Sequence, residues 1–173
     1  MSVRLILIAP DKRLKLRSNP VETVDGEIRT LLQDMLETMY EGEGLGLAAI
    51  QVGVHKRAIV IDVHGPDDPP APLKLVNPEI LWTSPERHVY EEGCLSFPEY
   101  FAKVERAAEV RVRYLDEHGE ARQIEAVETL AVCLQHEVDH LDGKLFVDHL
   151  SLVKRGIILR KLAKARRAKA KDA

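Results

Sequence analysis

Apolar residues recur at helical spacing in three stretches of this chain. Between 27 and 40, Ile28, Leu31, Leu32, Met35, Leu36 and Met39 fall every three or four positions, which predicts an amphipathic helix after Pro20, ended by Gly42 and Gly44. Residues 128–141 read as a second helix. A third is capped by Ser151, carries Leu152, Val153, Ile157, Leu159 and Leu162, and is expected to fray over 163–173, where Ala, Lys and Arg dominate. Strand patterns lie between the helices. The β-branched run over 57–63 predicts a buried strand, and 73–81 and 86–91 are short strand candidates. Over 109–115, Val110, Val112 and Tyr114 alternate with Arg111 and Arg113, and 121–127 pairs with it around a His118-Gly119 turn. The stretch 65–72, dense in Pro and Asp, reads as a loop, as does the glycine-containing stretch 44–51. Residues 1–8 read as an N-terminal segment or strand. The pattern predicts an α+β fold, with short antiparallel strands around a central helix and a C-terminal helix, in one domain over 1–173.

Composition narrows the setting. A chain of 173 residues suits one domain with a real core. No apolar run approaches membrane-span length, and the short N-terminal run lacks a small-residue cleavage site, so neither a membrane anchor nor a signal peptide is expected. Two cysteines, Cys94 and Cys133, make a poor disulfide framework and point to a reducing cytoplasm. The net charge of −3 conceals a division: 151–173 holds nine Lys or Arg against one Asp, for +8, and the rest of the chain is −11. That tail has two readings, a solvated helix end or a contact for a polyanion such as ribosomal RNA.

The chemistry centres on His136-Glu137-Val138-Asp139-His140, an H-E-x-x-H motif within the second predicted helix. Positions i and i+4 share a helix face, so His136 and His140 can present two imidazoles to one metal ion, with Glu137 beside them as general base. A hydrolytic site needs a third protein ligand and one open position. Extending the motif to H-E-x-x-H-x-x-G-x-x-H fails, because Phe146 stands at its last position, and no Glu follows Glu137. His149 is one candidate. Upstream, Glu91-Glu92-Gly93-Cys94-Leu95-Ser96 offers Cys94, which would complete a thiolate and imidazole set suited to Fe(II) or Zn(II). Cys133 is a further candidate, though a Cys, His and His on one short helical segment would be cramped. A second loop, 44–51, combines glycines, small residues and Gln51, whose amide can donate to a developing oxyanion.

In this order the three segments resemble those of the peptide deformylase family: G-x-G-L-A-A-x-Q at 44–51, E-G-C-L-S at 92–96 and H-E-x-x-H at 136–140. The resemblance extends from about residue 6 to about residue 150 and includes Leu75-Val76-Asn77-Pro78. It implies hydrolysis of the N-formyl group from formylmethionyl nascent peptides, with release of formate. It implies one divalent metal ion held by Cys94, His136 and His140, Fe(II) as the working ion, and Zn(II), Ni(II) or Co(II) as substitutes. Gln51 and the Leu95 backbone N–H would hold the oxyanion, and Glu137 would move the proton. The Gly46 backbone would meet the peptide, and Leu45, Leu95, Cys133 and Leu134 would wall the Met side chain. The resemblance further implies a cytoplasmic enzyme, expected as a monomer.

Several residues carry a plainer reading. Cys94 could be a buried apolar thiol, and Cys133 could be core or pocket lining. His55, His64, His88 and His118 are expected to be solvated, and Asp139 and Asp142 to be helix-end charges. The chain also departs from the family pattern. Many members carry Arg where Phe101 stands and Pro where Glu105 stands, which bears on substrate preference rather than on metal chemistry. Arg106 matches a family Arg expected to pair with Glu92. Two other functions use the same residues: an amidase acting on a different acyl group, and a ribosome-associated binding protein with a vestigial site. Five intact chemical residues, Gln51, Cys94, His136, Glu137 and His140, weigh against the second.

Overall fold

The computed structural model describes residues 2–172. The first predicted helix forms as α1, Gly26–Glu41. Asp25 caps it by accepting from the Ile28 N–H at 3.0 Å, and Gly42 closes it with its N–H on the Thr38 carbonyl. Seven strands follow: β1 Gly46–Ala48, β2 Ala58–Ile61, β3 Leu73–Thr83, β4 Arg87–Cys94, β5 Phe97–Ala107, β6 Glu109–Leu115 and β7 Ala121–Val127. Five of them make an antiparallel sheet in the order β1-β2-β3-β6-β7, and β4 with β5 forms a separate antiparallel hairpin. The second helix, α2, spans Glu128–Leu141. A short 3₁₀ turn at Phe146–His149 leads to α3, Leu152–Asp172.

Alternation along β2 shows how the layers form. Ala58 and Val60 face Leu31, Leu32, Met35 and Met39 of α1, while Ile59 and Ile61 face Ala131, Leu134, Val138 and Leu141 of α2. One sheet is thus covered on both faces, which is why all of β2 is buried. Each aliphatic side chain fully withdrawn from water contributes about 1.5–3 kcal/mol. The apolar stripe of α2 takes the sheet side, leaving His136 and His140 on the side toward the hairpin. A third cluster supports that hairpin from outside. It joins Phe97 and Val104 of β5 to Leu7, Leu14, Phe146 and Leu162, with Phe97 edge-on to Phe146 at 5.0 Å.

The fold is α+β, as the pattern predicted, with three differences in detail. Of the two readings of the N-terminus, residues 2–8 take the segment and form no strand. The segment instead crosses the site loops, with Leu7 N–H on the Gln51 carbonyl at 2.7 Å and Ala9 N–H on the Ser96 carbonyl at 2.9 Å; residue 1 lies outside the described residues. Part of the glycine loop is strand β1, paired with β2. β5 was not expected, because Pro98 and the charges at 99, 103 and 105 hide it, and its register with β4 forms it. β3 runs 11 residues, Leu73–Thr83, two beyond the end the sequence implied. Ser151 does cap α3, with its Oγ accepting from the Lys154 N–H. Only the far part of its apolar stripe meets the core: Leu162 is buried and Leu159 half-buried, whereas Leu152, Val153 and Ile157 are exposed. The helix continues to Asp172, the last described residue, across the stretch expected to fray. No helix among the described residues is long and apolar enough to cross a membrane.

Candidate active site

Helix α2 presents His136 and His140 one turn apart, with ring centroids 5.0 Å from each other. Cys94 arrives at the end of β4. One ligand atom from each of Cys94, His136 and His140 lies within 4.8 Å of the others, and Cys94 Sγ is 3.5 Å from His140 Nε2. A thiol and two imidazoles converging in this way fit a divalent cation and leave a coordination position open. Burial, reinforced by His136, holds His140 well below its ordinary pKa, so it is neutral and able to ligate. The other candidate ligands lie elsewhere. His149 sits 2.8 Å from Asp139, and Cys133 lines the neighbouring cavity, its thiol pushed up to about 12 by burial and by Glu137 and Glu92.

The ring of His136 is oriented by a carboxylate. Its Nδ1 lies 2.8 Å from Glu92 Oε1, which leaves Nε2 for the metal side. Glu92 is gripped in turn by Arg106 through Nε at 2.7 Å and Nη2 at 2.9 Å, the pair expected from the sequence. Burial works against the charge of Glu92, but the bonds from Arg106 and His136 outweigh it and draw the carboxyl down to about 2. Arg106 also donates through Nη1 to Asp139 Oδ2 at 2.6 Å, where His149 Nε2 meets the same oxygen. Asp139 is therefore part of this network rather than a free helix-end charge. Asp142 is likewise paired, with Arg57 at 3.0 Å. His64, expected in solvent, is 2.7 Å from the buried Asp62.

Glu137 projects on the cavity side of α2. It is buried, its Oε2 has no hydrogen-bond partner among the described residues, and burial raises its pKa to about 7 despite the offsetting charge of His136. Gly46 of β1 lies against it, so close that a Cβ there would stand 2.6 Å from Glu137 Oε1. Gln51 is fixed at both ends of its amide. Its Oε1 accepts from the Ala48 N–H at 2.9 Å, and its Nε2 donates to Ser96 Oγ at 3.1 Å and faces Cys94 Sγ at 3.4 Å.

These groups open into a cavity of about 760 Å³. Leu45, Gly46, Gln51, Cys94, Leu95, Cys133, His136 and Glu137 line it, so the structure brings most of the candidates to one place. Two candidates do not line it: His140, buried behind the lining as part of the metal-ligating cluster, and Leu134. The second is a correction to the Met wall read from the sequence. Leu134 is fully buried in the core between α2 and the sheet, because its position on the helix turns it toward Ile59 and Val112. The sequence reading missed Thr129 and Val132 as lining residues, although each lies four positions before a lining residue (Cys133 and His136) and so shares its helix face. It also missed Tyr90 and Tyr100, which reach the cavity only through the β4–β5 hairpin.

Known proteins are similar to this chain in sequence and in fold. A family model described as polypeptide deformylase matches residues 3–156. A peptide deformylase of Bartonella tribocorum is 53% identical over 174 residues, covering 99% of this chain and 97% of the relative. One of Methylocella silvestris is 54% identical, covering 99% and 89%. Among solved structures, peptide deformylase from Ehrlichia chaffeensis superposes with a TM-score of 0.93 at 45% identity, covering 98% of this chain and 99% of that one. The same protein in complex with actinonin also gives 0.93, at 46% identity, covering 96% and 99%.

Proposed function

This chain belongs to the polypeptide deformylase family, and on that premise we propose how its own residues divide the work. The reaction is metal-dependent removal of the N-formyl group from the N-terminal formylmethionine of newly synthesised proteins, releasing formate. The observation that carries the assignment of roles is the buried carboxylate of Glu137, with Oε1 4.0 Å from His136 Nε2 and Oε2 without a hydrogen-bond partner among the described residues, beside three converging metal-ligating side chains.

Cys94, His136 and His140 would hold the ion. When bound there, a divalent metal acidifies water and draws charge from the formyl oxygen. Glu137 accepts the proton of the attacking water and passes it to the departing amine. A carboxyl near 7 is poised for both transfers at neutral pH. Gln51 Nε2, held by Ser96 and by the Ala48 bond on its other end, donates to the developing oxyanion together with the Leu95 N–H. Leu45, Val132 and Cys133 receive the Met side chain, the Gly46 backbone meets the peptide, and Leu134 supports this wall from the core. Glu92, Arg106 and Asp139 hold the His136 ring in place rather than touching substrate.

The working ion in this reading is Fe(II), which a single thiolate with two imidazoles accommodates, with Zn(II), Ni(II) or Co(II) as substitutes. The chain acts as one catalytic domain over 1–173, as a monomer in the cytoplasm. The Lys and Arg of α3, at 154, 155, 160, 161, 164, 166, 167, 169 and 171, lie all round the helix; they keep its end solvated and offer a contact for a polyanion such as ribosomal RNA. The test is formate release from a formyl-Met tripeptide by protein reconstituted anaerobically with Fe(II), beside the acetyl-Met analogue. Formate from the first and no cleavage of the second is expected. Cleavage of both would favour the broader amidase.

A further inference from the structure

The 3₁₀ turn Phe146–His149 meets the metal-ligating cluster at two points that the reaction does not use. Phe146 is buried, and its ring stacks on that of His136, with centroids 6.0 Å apart and planes 26° from parallel. Three positions on, His149 Nε2 lies 2.8 Å from Asp139 Oδ2 and 3.3 Å from Arg106 Nη1. Arg106 can only donate and the shorter contact is to Asp139, so the Nε2 proton of His149 belongs to the Asp139 bond. Residues i and i+3 of a 3₁₀ helix stand one above the other, so Phe146 and His149 leave the same face of one short element. Asp148, between them, fixes that element from outside. Its Oδ1 accepts from Arg155 Nε at 2.8 Å, and its Oδ2 accepts from the Leu145 N–H at 2.8 Å and from Lys15 Nζ.

We propose that this turn is a clamp on the metal ligand His136, and that His149 is a positioning residue. The proposal rests on the deformylase reading above, because it concerns the ligand set assigned there. Phe146 holds the His136 ring by its face. His149 holds it by its edge, through Asp139, Arg106 and Glu92, whose Oε1 is 2.8 Å from His136 Nδ1. His149 is the outer end of this chain: its side chain is 36% exposed, against 4% for Arg106. Without the imidazole, water reaches Asp139 Oδ2 and competes for the bond from Arg106 Nη1. The guanidinium is a rigid fork, so a tilt at Nη1 is felt at Nε and Nη2, which grip Glu92. Glu92 then fixes the His136 ring less firmly, and outer groups of this kind set how tightly a metal is held. His149 does not line the cavity, so its effect falls on metal retention and turnover rather than on peptide binding.

The test uses Co(II)-loaded protein, whose visible absorption reports the ligand field. It compares the unaltered chain with His149→Ala, with His149→Gln, and with Leu32→Ala in the α1 core as a control for lost stability. Groups bonded directly to a metal ligand are worth about 10–100-fold in metal affinity, and His149 lies further out, so His149→Ala should release Co(II) to a chelator about three to ten times faster, with a shifted absorption band. The kcat for formyl-Met-Ala-Ala should fall by a similar factor while KM stays within about twofold. His149→Gln retains a donor and should recover part of the loss. Leu32→Ala should show neither change. In a Glu92→Gln background, where the chain is already cut, His149→Ala should add less than about twofold. An unchanged spectrum and release rate in His149→Ala, a full effect in the Glu92→Gln background, or an equal effect from Leu32→Ala would each overturn the clamp. Should the alanine variant not fold, His149→Phe, which keeps a ring and lacks the donor, carries the same measurements. Unaltered protein that neither binds Co(II) nor releases formate sinks the deformylase reading and the clamp with it; metal and turnover there beside an indifferent His149→Ala sink only the clamp.

Discussion

Gly46 and Glu137 are in contact so close that no side chain fits between them: a Cβ on Gly46 would lie 2.6 Å from Glu137 Oε1 and 3.0 Å from its Cγ and Cδ. The strand that lines one side of the cavity therefore sets where the proton-transferring carboxylate can stand. Gly46→Ala should displace Glu137 while leaving Cys94, His136 and His140 in place. Misplacing a catalytic group by about 1 Å costs up to about a hundredfold. A kcat reduced by about that factor with one metal ion per chain retained is the expected result, read from formate release and metal analysis on one sample.

Among the described residues, Arg106 is the only group that bonds both Glu92 and Asp139. Arg106→Ala leaves the buried Glu92 without its charge partner, a loss of about 3–5 kcal/mol in stability by comparison with other broken buried pairs. The His136 ring then loses its fixed carboxylate, so metal retention should weaken as well. Arg106→Lys should rescue only in part, since one ammonium cannot reproduce the two bonds to Glu92 and the third to Asp139. Urea unfolding and competition with a chelator check both halves, and unchanged metal retention in Arg106→Ala would sink the bracing role.

The same network predicts an acid limit to stability. Burial penalises the Glu92 carboxylate, but Arg106 and His136 more than compensate, so its folded-state pKa is about 2 against 4.5 for the free group. A group lowered on folding stabilises the native state fully above its unfolded pKa and loses that contribution as pH falls through the folded value. The window runs from about pH 5 down to about 2, and the contribution is of order 3 kcal/mol. Unfolding free energy measured across that window should fall more steeply in the native sequence than in Glu92→Gln.

Leu134 separates core from pocket. It was placed in the Met wall from the sequence, yet it packs in the core with Ile59, Ile61 and Val112. Leu134→Ala should cost about 2–5 kcal/mol of stability through the cavity it leaves. KM for a formyl-Met tripeptide should stay near its original value, whereas Val132→Ala, on the lining itself, should raise it. Thermal unfolding beside steady-state kinetics distinguishes the two positions.

The three helices and most of the five-stranded sheet were legible because their apolar residues keep period 3.6 or 2, and because caps such as Ser151 sit at the expected ends. The chemical residues were legible because Cys94, His136, Glu137, His140 and Gln51 lie in short motifs whose spacing is meaningful before folding. What stayed hidden depends on pairing between distant segments. β5 carries Pro98 and scattered charges and is a strand only through its register with β4. Asp139 read as a helix-end charge and His149 as a candidate metal ligand, because their partner, Arg106, comes from β5, more than 30 positions upstream. Phe101 was noticed as a departure from the family pattern, but its seat over Gly93 needed the hairpin.

The central claim is that Cys94, His136 and His140 hold the metal while Glu137 moves the proton, and Glu137→Gln separates the two. The variant keeps the shape of the side chain and removes its basicity. Metal content and formate release should be measured on the same preparation, with a formyl-Met tripeptide as substrate. The account predicts about one Fe(II) per chain, as in the unaltered protein, with turnover reduced on the order of a hundredfold to ten-thousandfold. Turnover within a few fold of the original, with metal retained, would contradict it.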